Sequence, residues 1–427
     1  MVGHVRDTKG RSVVVVTGIG IVTSLGHTMA DNWVALTAGA SGIREITRFA
    51  TDGLSTKIAG TVDDFEIEPL SAPGLAKAFA TASITEAISQ SGLGSRSSFP
   101  GPLFVATPPA EVEWPVRRQV YESARNGSPV SDARLKQAAR EGAYRDMHAL
   151  FLFGQVGEYL ADRFGTLGQP ISLSTACASG GTAIQLGVEA IRRGETDAAL
   201  CVGTDGSVHP ESLIRFSLLS ALSTRNEPPE EAARPFAKDR DGFVMAEGSA
   251  ALILESYDAA KARGAKILGV VRGCGERADD FHRTRSKPDG TPIIGAIRNA
   301  LDDADVTPCQ INYINAHGTS TPENDRMEYF SLANVFGEHL ADTPISSNKS
   351  IVGHTLTAAG AIEAAFSLKT IETGTIPPTI NYDIPDPEMP LDVVPNEKRD
   401  AQVDMVLSNS FGFGGQNVCL VLSAEPA

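Results

Sequence analysis

The chain has 427 residues, with 37 Lys+Arg against 52 Asp+Glu and a formal net charge of −15. An apolar fraction of 42% with only 21% charged residues can bury a large core, which excludes global disorder. The acidic balance argues against nucleic acid or an anionic membrane as main partner. Five scattered cysteines without a CxxC pair exclude a disulfide framework and a zinc site, so the chain reads as a reduced, cytoplasmic protein.

In chain order, Val13–Val16 lies behind Arg6, Lys9 and Arg11 as in a signal peptide, but Thr17, Gly18 and Gly20 break the run at once. No stretch nears the roughly 20 apolar residues of a membrane span. Val13–Gly18 therefore reads as a first buried strand, and no membrane insertion is expected. Gly18–Gly26 imitates a dinucleotide loop, but its spacing departs from GxGxxG and no acidic residue follows a second strand. Leu103–Ala106 is a further strand.

Residues 109–150 stand out as a charged helical insertion. Trp114 to Arg145 holds seven basic residues against three acids, a local charge of +4. This reads as a solvated helical face or as a docking surface for an acidic partner. Next come the apolar runs Ala198–Gly203, Ala250–Leu254, Val270–Gly273, Val403–Leu407 and Val418–Leu422, with helices over Gly180–Arg193 and Ala358–Thr373 between them. The alternation predicts an α/β protein with largely buried strands. Leu173–Gly181 and Ser346–His354 each open an apolar helix and are followed by similar strands. That diffuse repeat predicts two halves joined near Ser256–Gly264.

Three residues carry candidate chemistry. Cys177, in Ser-Thr-Ala-Cys-Ala-Ser-Gly-Gly, precedes a helix whose dipole and N–H groups favour a thiolate. A small buried hydrophobe is the competing reading. His317 and His354 sit beside glycine and small hydroxyl residues, which suits imidazoles facing a pocket. Neutral rings donating from Nε2 polarise a thioester carbonyl without a metal. Phe411-Gly-Phe-Gly-Gly415 offers a hinged aromatic gate and backbone N–H groups for an oxyanion.

Four motifs in order resemble the condensing enzymes of fatty-acid synthesis, above all the β-ketoacyl-acyl-carrier-protein synthases of type I/II. They are Ser-Thr-Ala-Cys-Ala-Ser-Gly, Asn-Ala-His-Gly-Thr-Ser-Thr-Pro-x-Asn-Asp-x-x-Glu, Asn-Lys-Ser-x-x-Gly-His-x-x-x-Ala-Ala-Gly and Asn-Ser-Phe-Gly-Phe-Gly-Gly. The resemblance runs from about Val13 to Leu422. It implies a thiolase-like duplicated fold of five layers, α-β-α-β-α, with residues 1–258 carrying the nucleophile and 259–427 the two histidines. It implies a homodimer without a cofactor, whose substrates ride on the phosphopantetheine of acyl carrier protein. Cys177 would take the acyl group, and His317 and His354 would assist decarboxylation of malonyl carrier protein. The oxyanion donors would be the N–H groups of Cys177 and Phe413. Phe411 and Phe413 would gate the site, and Thr319 and Thr321 would hold the pantetheine arm. Lys349, Asp325 and Glu328 match charged residues behind the histidines. Asn315, Glu328, Glu363 and Asn409 match positions that surround a monovalent cation in some relatives.

The resemblance also separates classes. The C-terminal glycine loop lacks the second cysteine of thiolases, and His354 stands where chain-starting enzymes carry Asn. Cys177 is the residue that non-condensing chain-length partners lack. The implied activity is elongation of a fatty acyl chain by two carbons through decarboxylative Claisen condensation. A ketosynthase of a specialised lipid or polyketide pathway, and a non-catalytic heterodimer partner, are the alternatives. Departures bear on substrate and docking: residues 107–114 replace a Gly-rich segment, Lys77 is the only basic residue in Ala72–Thr85, and Ser220 replaces an Arg.

Overall fold

The computed structural model describes residues 5–65, 67, 70–95, 97–109, 112–125 and 131–425. Residues 110, 111 and 126–130 of the expected insertion lie outside the described residues.

Ten strands form one mixed sheet: β1 (Val14–Thr23), β2 (Leu103–Ala106), β3 (Ile171–Leu173), β4 (Ala198–Asp205), β5 (Gly248–Ser256), β6 (Gly269–Ala278), β7 (Tyr313–Asn315), β8 (Ile345–Ser346), β9 (Met405–Gly412) and β10 (Gln416–Ser423). Their spatial order is β8-β7-β9-β10-β6-β1-β5-β4-β2-β3. The first five strands run 3-2-4-5-1 across the sheet and the second five repeat that order. In each half three strands are parallel and the next two pairings are antiparallel. Among the described strands, only the pairs Val15↔Val270 and Val16↔Gly269 link the two half-sheets, so each half-sheet packs its own faces.

The helices that matter for the site are α1 (Ala72–Ser91), α2 (Trp114–Arg125), α3 (Asp132–Arg140), α4 (Arg145–Leu150), α5 (Gln155–Phe164), α6 (Ser179–Arg192), α7 (Pro210–Leu218), α8 (Thr291–Ala304), α9 (Pro322–Phe336), α10 (Lys349–Val352) and α11 (Ala359–Thr373). Alternation within the strands sets the layers. Ala250, Leu252 and Leu254 of β5 and Val418, Leu420 and Leu422 of β10 enter one core with Ile184 and Val188 of α6 and Ile362 and Phe366 of α11. Their neighbours face outward. Ala251 and Ile253 meet α1 and α5, whereas Cys419 and Val421 meet α8. Helices α6 and α11 thus fill the middle layer between two half-sheets, with helices outside each, which is the five-layered fold expected. No described helix is long and apolar enough to cross a membrane.

Two strands outrun their sequence reading because glycines were taken as punctuation. Strand β1 continues past Gly18 and Gly20 to Thr23. A Cβ on Gly20 would lie 1.9 Å from the Ser83 carbonyl oxygen of α1. Strand β6 does the same: a Cβ on Gly275 would lie 2.2 Å from the Ala296 oxygen of α8. The glycines therefore let a helix backbone press onto a strand, at equivalent places in both halves. This disposes of the nucleotide-loop imitation.

Candidate active site

Cys177 sits on a sharp turn between β3 and α6. Its neighbour Ala176 has φ of 50°, a left-handed conformation that a residue with a Cβ adopts at a cost. Ser179 braces the turn: its hydroxyl donates to the Ala176 carbonyl (2.6 Å) and accepts from Thr175 N–H (2.8 Å). The end of β9 lies directly against this turn. A Cβ on Gly412 would stand 2.8 Å from the Thr175 oxygen and 3.1 Å from the Cys177 nitrogen, so glycine is required for the approach. The N–H of the following Phe413 acts on the Cys177 sulfur and favours its anion.

The thiol differs from its sequence reading. Burial pushes Cys177 up to about 11, against smaller opposing contributions from the Phe413 N–H and the Lys349 cation. Burial therefore favours the thiol form of Cys177, because the loss of hydration outweighs the Phe413 N–H and the Lys349 cation.

His317 follows β7, and α9 holds it in place. Glu328 of that helix accepts the His317 N–H (2.8 Å) and the Gly318 N–H (2.7 Å), one on each carboxylate oxygen. Asn409 of β9 donates to the same carboxylate at 3.1 Å. Burial raises Glu328 to about 6, partly offset by these donors. Lys349, at the start of α10, puts its Nζ 2.7 Å from the His317 carbonyl and 3.4 Å from His317 Nδ1. Its counter-ion is Glu363 of α11, itself raised to about 7 by burial.

His354 is fixed by the segment Phe243–Ala246, whose part in holding that ring has no signal in the sequence. Its N–H donates to the Val244 carbonyl (2.8 Å), and Ala246 N–H donates to the His354 carbonyl (2.9 Å). The Phe243 ring stands edge-on at 5.2 Å. Leu356 N–H donates to His354 Nδ1 at 3.3 Å. Donors thus face the Nδ1 atoms of both histidines, which assigns the ring protons to Nε2. Burial first, and Lys349 second, hold both imidazoles well below 6.5, so they are neutral at pH 7.

These elements converge. The Cys177 Sγ and a ring nitrogen of each histidine all lie within 4.8 Å of one another. The two rings meet at 5.3 Å and 85°. A cavity of about 360 Å³ opens above them, lined by Thr319, Thr321, Phe411 and Phe413 among others. The Phe411 ring contacts His317 at 5.7 Å, and Phe413 stands 6.4 Å from Phe216 of α7. The Thr319 and Thr321 hydroxyls hydrogen-bond each other (2.9 Å).

Asp325 is placed differently from Lys349 and Glu328. It is buried, yet it accepts the Phe236 N–H (2.8 Å) and pairs with Arg240, so it braces residues 236–240 rather than a histidine. Arg117, Arg118 and Arg134 of the insertion do not line the cavity.

Asn315, Glu363 and Asn409 each keep a buried side-chain oxygen without a hydrogen-bond partner, and Glu328 accepts from Asn409 beside them. An all-oxygen set of this kind fits a hard monovalent cation.

Comparison with known proteins agrees with this geometry. The family profile "Beta-ketoacyl synthase, N-terminal domain" matches residues 11–88 and 133–260, and "Beta-ketoacyl synthase, C-terminal domain" matches 268–383. The 3-oxoacyl-[acyl-carrier-protein] synthase 2 of Coxiella burnetii is 37% identical over 416 residues, covering 96% of this chain and 98% of that protein. The tetracenomycin polyketide synthase ketoacyl synthase alpha subunit of Streptomyces glaucescens is also 37% identical, over 96% of each chain. Among solved structures, a type II polyketide ketosynthase in complex with its acyl-carrier protein superposes with a TM-score of 0.84 at 31% identity. That match covers 97% of this chain and 100% of the other. The buried Cys-His-His cluster, the duplicated sheet and these full-length matches have one reading in common: the chain belongs to the beta-ketoacyl synthase family of condensing enzymes.

Proposed function

We propose that the chain is a 3-oxoacyl-acyl-carrier-protein synthase whose nucleophile is Cys177 and whose decarboxylating pair is His317 and His354. The observation that carries this is the meeting of one thiol and two neutral imidazoles within 4.8 Å at the base of one cavity. Cys177 sulfur attacks the acyl thioester of a carrier protein, a new C–S bond forms, and the carrier thiol leaves with the proton. Malonyl carrier protein then loses CO₂, and the electron pair passes to the α-carbon and its thioester oxygen, where the Nε2–H groups of His317 and His354 hold the enolate. The α-carbon attacks the Cys177 thioester carbonyl. A C–C bond forms, the C–S bond breaks, the expelled Cys177 thiolate takes a proton from water, and a 3-oxoacyl carrier protein two carbons longer leaves. The N–H groups of Cys177 and Phe413 serve as oxyanion donors, a role supported by the effect of the Phe413 N–H on the sulfur. Phe411 and Phe413 gate the cavity, and Thr319 and Thr321 hold the pantetheine arm.

Lys349 and Glu328 act as positioning groups for His317. A monovalent cation bound by Asn315, Glu328, Glu363 and Asn409 would add fixed positive charge behind that loop. We further read residues 1–258 and 259–427 as the two halves of the duplication, supported by their repeated strand order. A homodimer is supported by β3, an edge strand whose Ile171 is 47% exposed. A reduced cytoplasmic setting is supported by five free cysteines.

A ketosynthase of a specialised lipid or polyketide pathway is the second reading. The equal 37% identity to a fatty-acid enzyme and a polyketide alpha subunit favours it as much as the first on pathway, though not on chemistry. The test is Cys177→Ala. Condensation is lost, while decarboxylation of malonyl carrier protein by the two histidines persists, as followed by CO₂ release and product mass. Retained condensation refutes the nucleophile.

A further inference from the structure

The mouth of the catalytic cavity contains two arginines that the reaction does not use. The segment after β6 brings His282, Arg283, Thr284 and Arg285 to the cavity wall. Arg283 and Arg285 are exposed, and among the described residues neither guanidinium has a hydrogen-bond or ion-pair partner. The acids that share the wall are already committed. Asp279 accepts the Phe281 N–H (2.9 Å) and the Lys287 N–H (2.7 Å). Asp241 accepts the Thr224 N–H (3.1 Å), and Glu323 pairs with Arg326 (3.0 Å). Two unspent cations thus stand at the entrance of a cavity whose far end is Cys177.

The backbone holds the segment in place. Gly414 N–H donates to the Arg283 carbonyl (2.8 Å), and Asp279 N–H donates to the Gly415 carbonyl (2.7 Å). The arginine at 283 is therefore set against the glycine end of the gate, with its side chain free. The insertion presents a different case: Arg118 is spent on Glu122 (2.7 Å), and Arg134 on the Arg125 carbonyl (3.2 Å).

We propose that Arg283 and Arg285 bind the phosphodiester of the phosphopantetheine arm as it enters the cavity. This rests on the condensing reading given above. A chain with net charge −15 must attract an anionic phosphodiester locally. Two guanidiniums on that wall also hold the arm's one fixed charge in register, with Thr319 and Thr321 lining the same cavity.

The test compares two small donors with the same acyl chain, acyl-pantetheine and its 4′-phosphate ester, by the rate at which Cys177 gains the acyl mass. The wild-type protein is expected to prefer the phosphorylated donor about tenfold at low salt, and less as salt rises. In the double variant Arg283→Ser, Arg285→Ser that ratio falls to about one. Because the ratio is internal to each variant, partial misfolding does not imitate the effect. The triple variant Arg117→Glu, Arg118→Glu, Arg134→Glu keeps the wild-type ratio. Equal wild-type rates from both donors, or a preference that survives the double variant, overturn the assignment of the mouth alone. Failure of both donors to acylate wild-type Cys177 overturns the condensing reading and this inference with it.

Discussion

The thiol of Cys177 offers the most direct test of the site's electrostatics. It is raised to about 11, against 9.0 for an ordinary thiol, with burial as the leading cause. Two pH units correspond to about 100-fold less thiolate, so at pH 7.5 only about one molecule in 3000 carries the free anion. Alkylation by iodoacetamide across pH 7 to 10 reads this fraction directly. The modified residue must be assigned by mass, because Cys309 is exposed and Cys274 partly so. The rate at Cys177 is expected to climb about tenfold per pH unit over the whole range. Steric exclusion from a buried site lowers every rate equally and leaves that slope unchanged. A plateau reached below pH 8.5 would refute the reasoning, since it requires the α6 dipole and the Phe413 N–H to outweigh burial.

Two further expectations follow from contacts at the same site. Gly412→Ala forces a Cβ to within 2.8 Å of the Thr175 oxygen and 3.1 Å of the Cys177 nitrogen, both backbone atoms that cannot swing aside. The expected cost is about 1–3 kcal/mol of stability, and acylation of Cys177 slows about 100-fold as the gate strand moves off the turn. Thermal unfolding and single-turnover acylation check this; a wild-type rate shows that β9 does not position the Cys177 thiol. Lys349→Met removes the cation that helps hold both imidazoles neutral, after burial itself. The folded pKa values of His317 and His354 then rise, so the variant loses malonyl decarboxylation at mildly acid pH that the wild type retains, and regains it as pH increases. The broken pair with Glu363 also costs about 3–5 kcal/mol of stability, measured by denaturant unfolding. An acid limb that stays in place assigns Lys349 a purely structural role.

How much was legible beforehand differs by element. Strands buried on both faces read as continuous apolar runs, and β4, β5 and β10 appear in the sequence close to their observed limits. The glycines of β1 and β6 misled, because a turn and a close helix contact demand the same residue. Cys177, His317 and His354 stood out because each lies in an ordered motif of small residues, and the structure brings all three together. Their supports were legible unequally. Glu328 and Lys349 belong to those motifs and reach His317, whereas Asp325, from the same stretch of α9, faces Phe236 and Arg240. One helical turn of difference in direction is invisible in a motif.

Sequence alone determined the chemical groups of this protein, their order along the chain and the duplication that carries them. Local pattern is enough for that, since periodicity and short motifs depend on neighbours in the chain. The tertiary structure decided the state of those groups. A cysteine before a helix reads as a thiolate until 91% of its surface is withdrawn from water, when burial becomes the leading cause that raises it. The backbone of Val244–Ala246, over 100 residues from His354, sets the position of that ring. The two free arginines at the mouth acquire meaning only once the cavity beneath them is in place. Burial and long-range contact are properties of the packed chain, and no local window of sequence contains them.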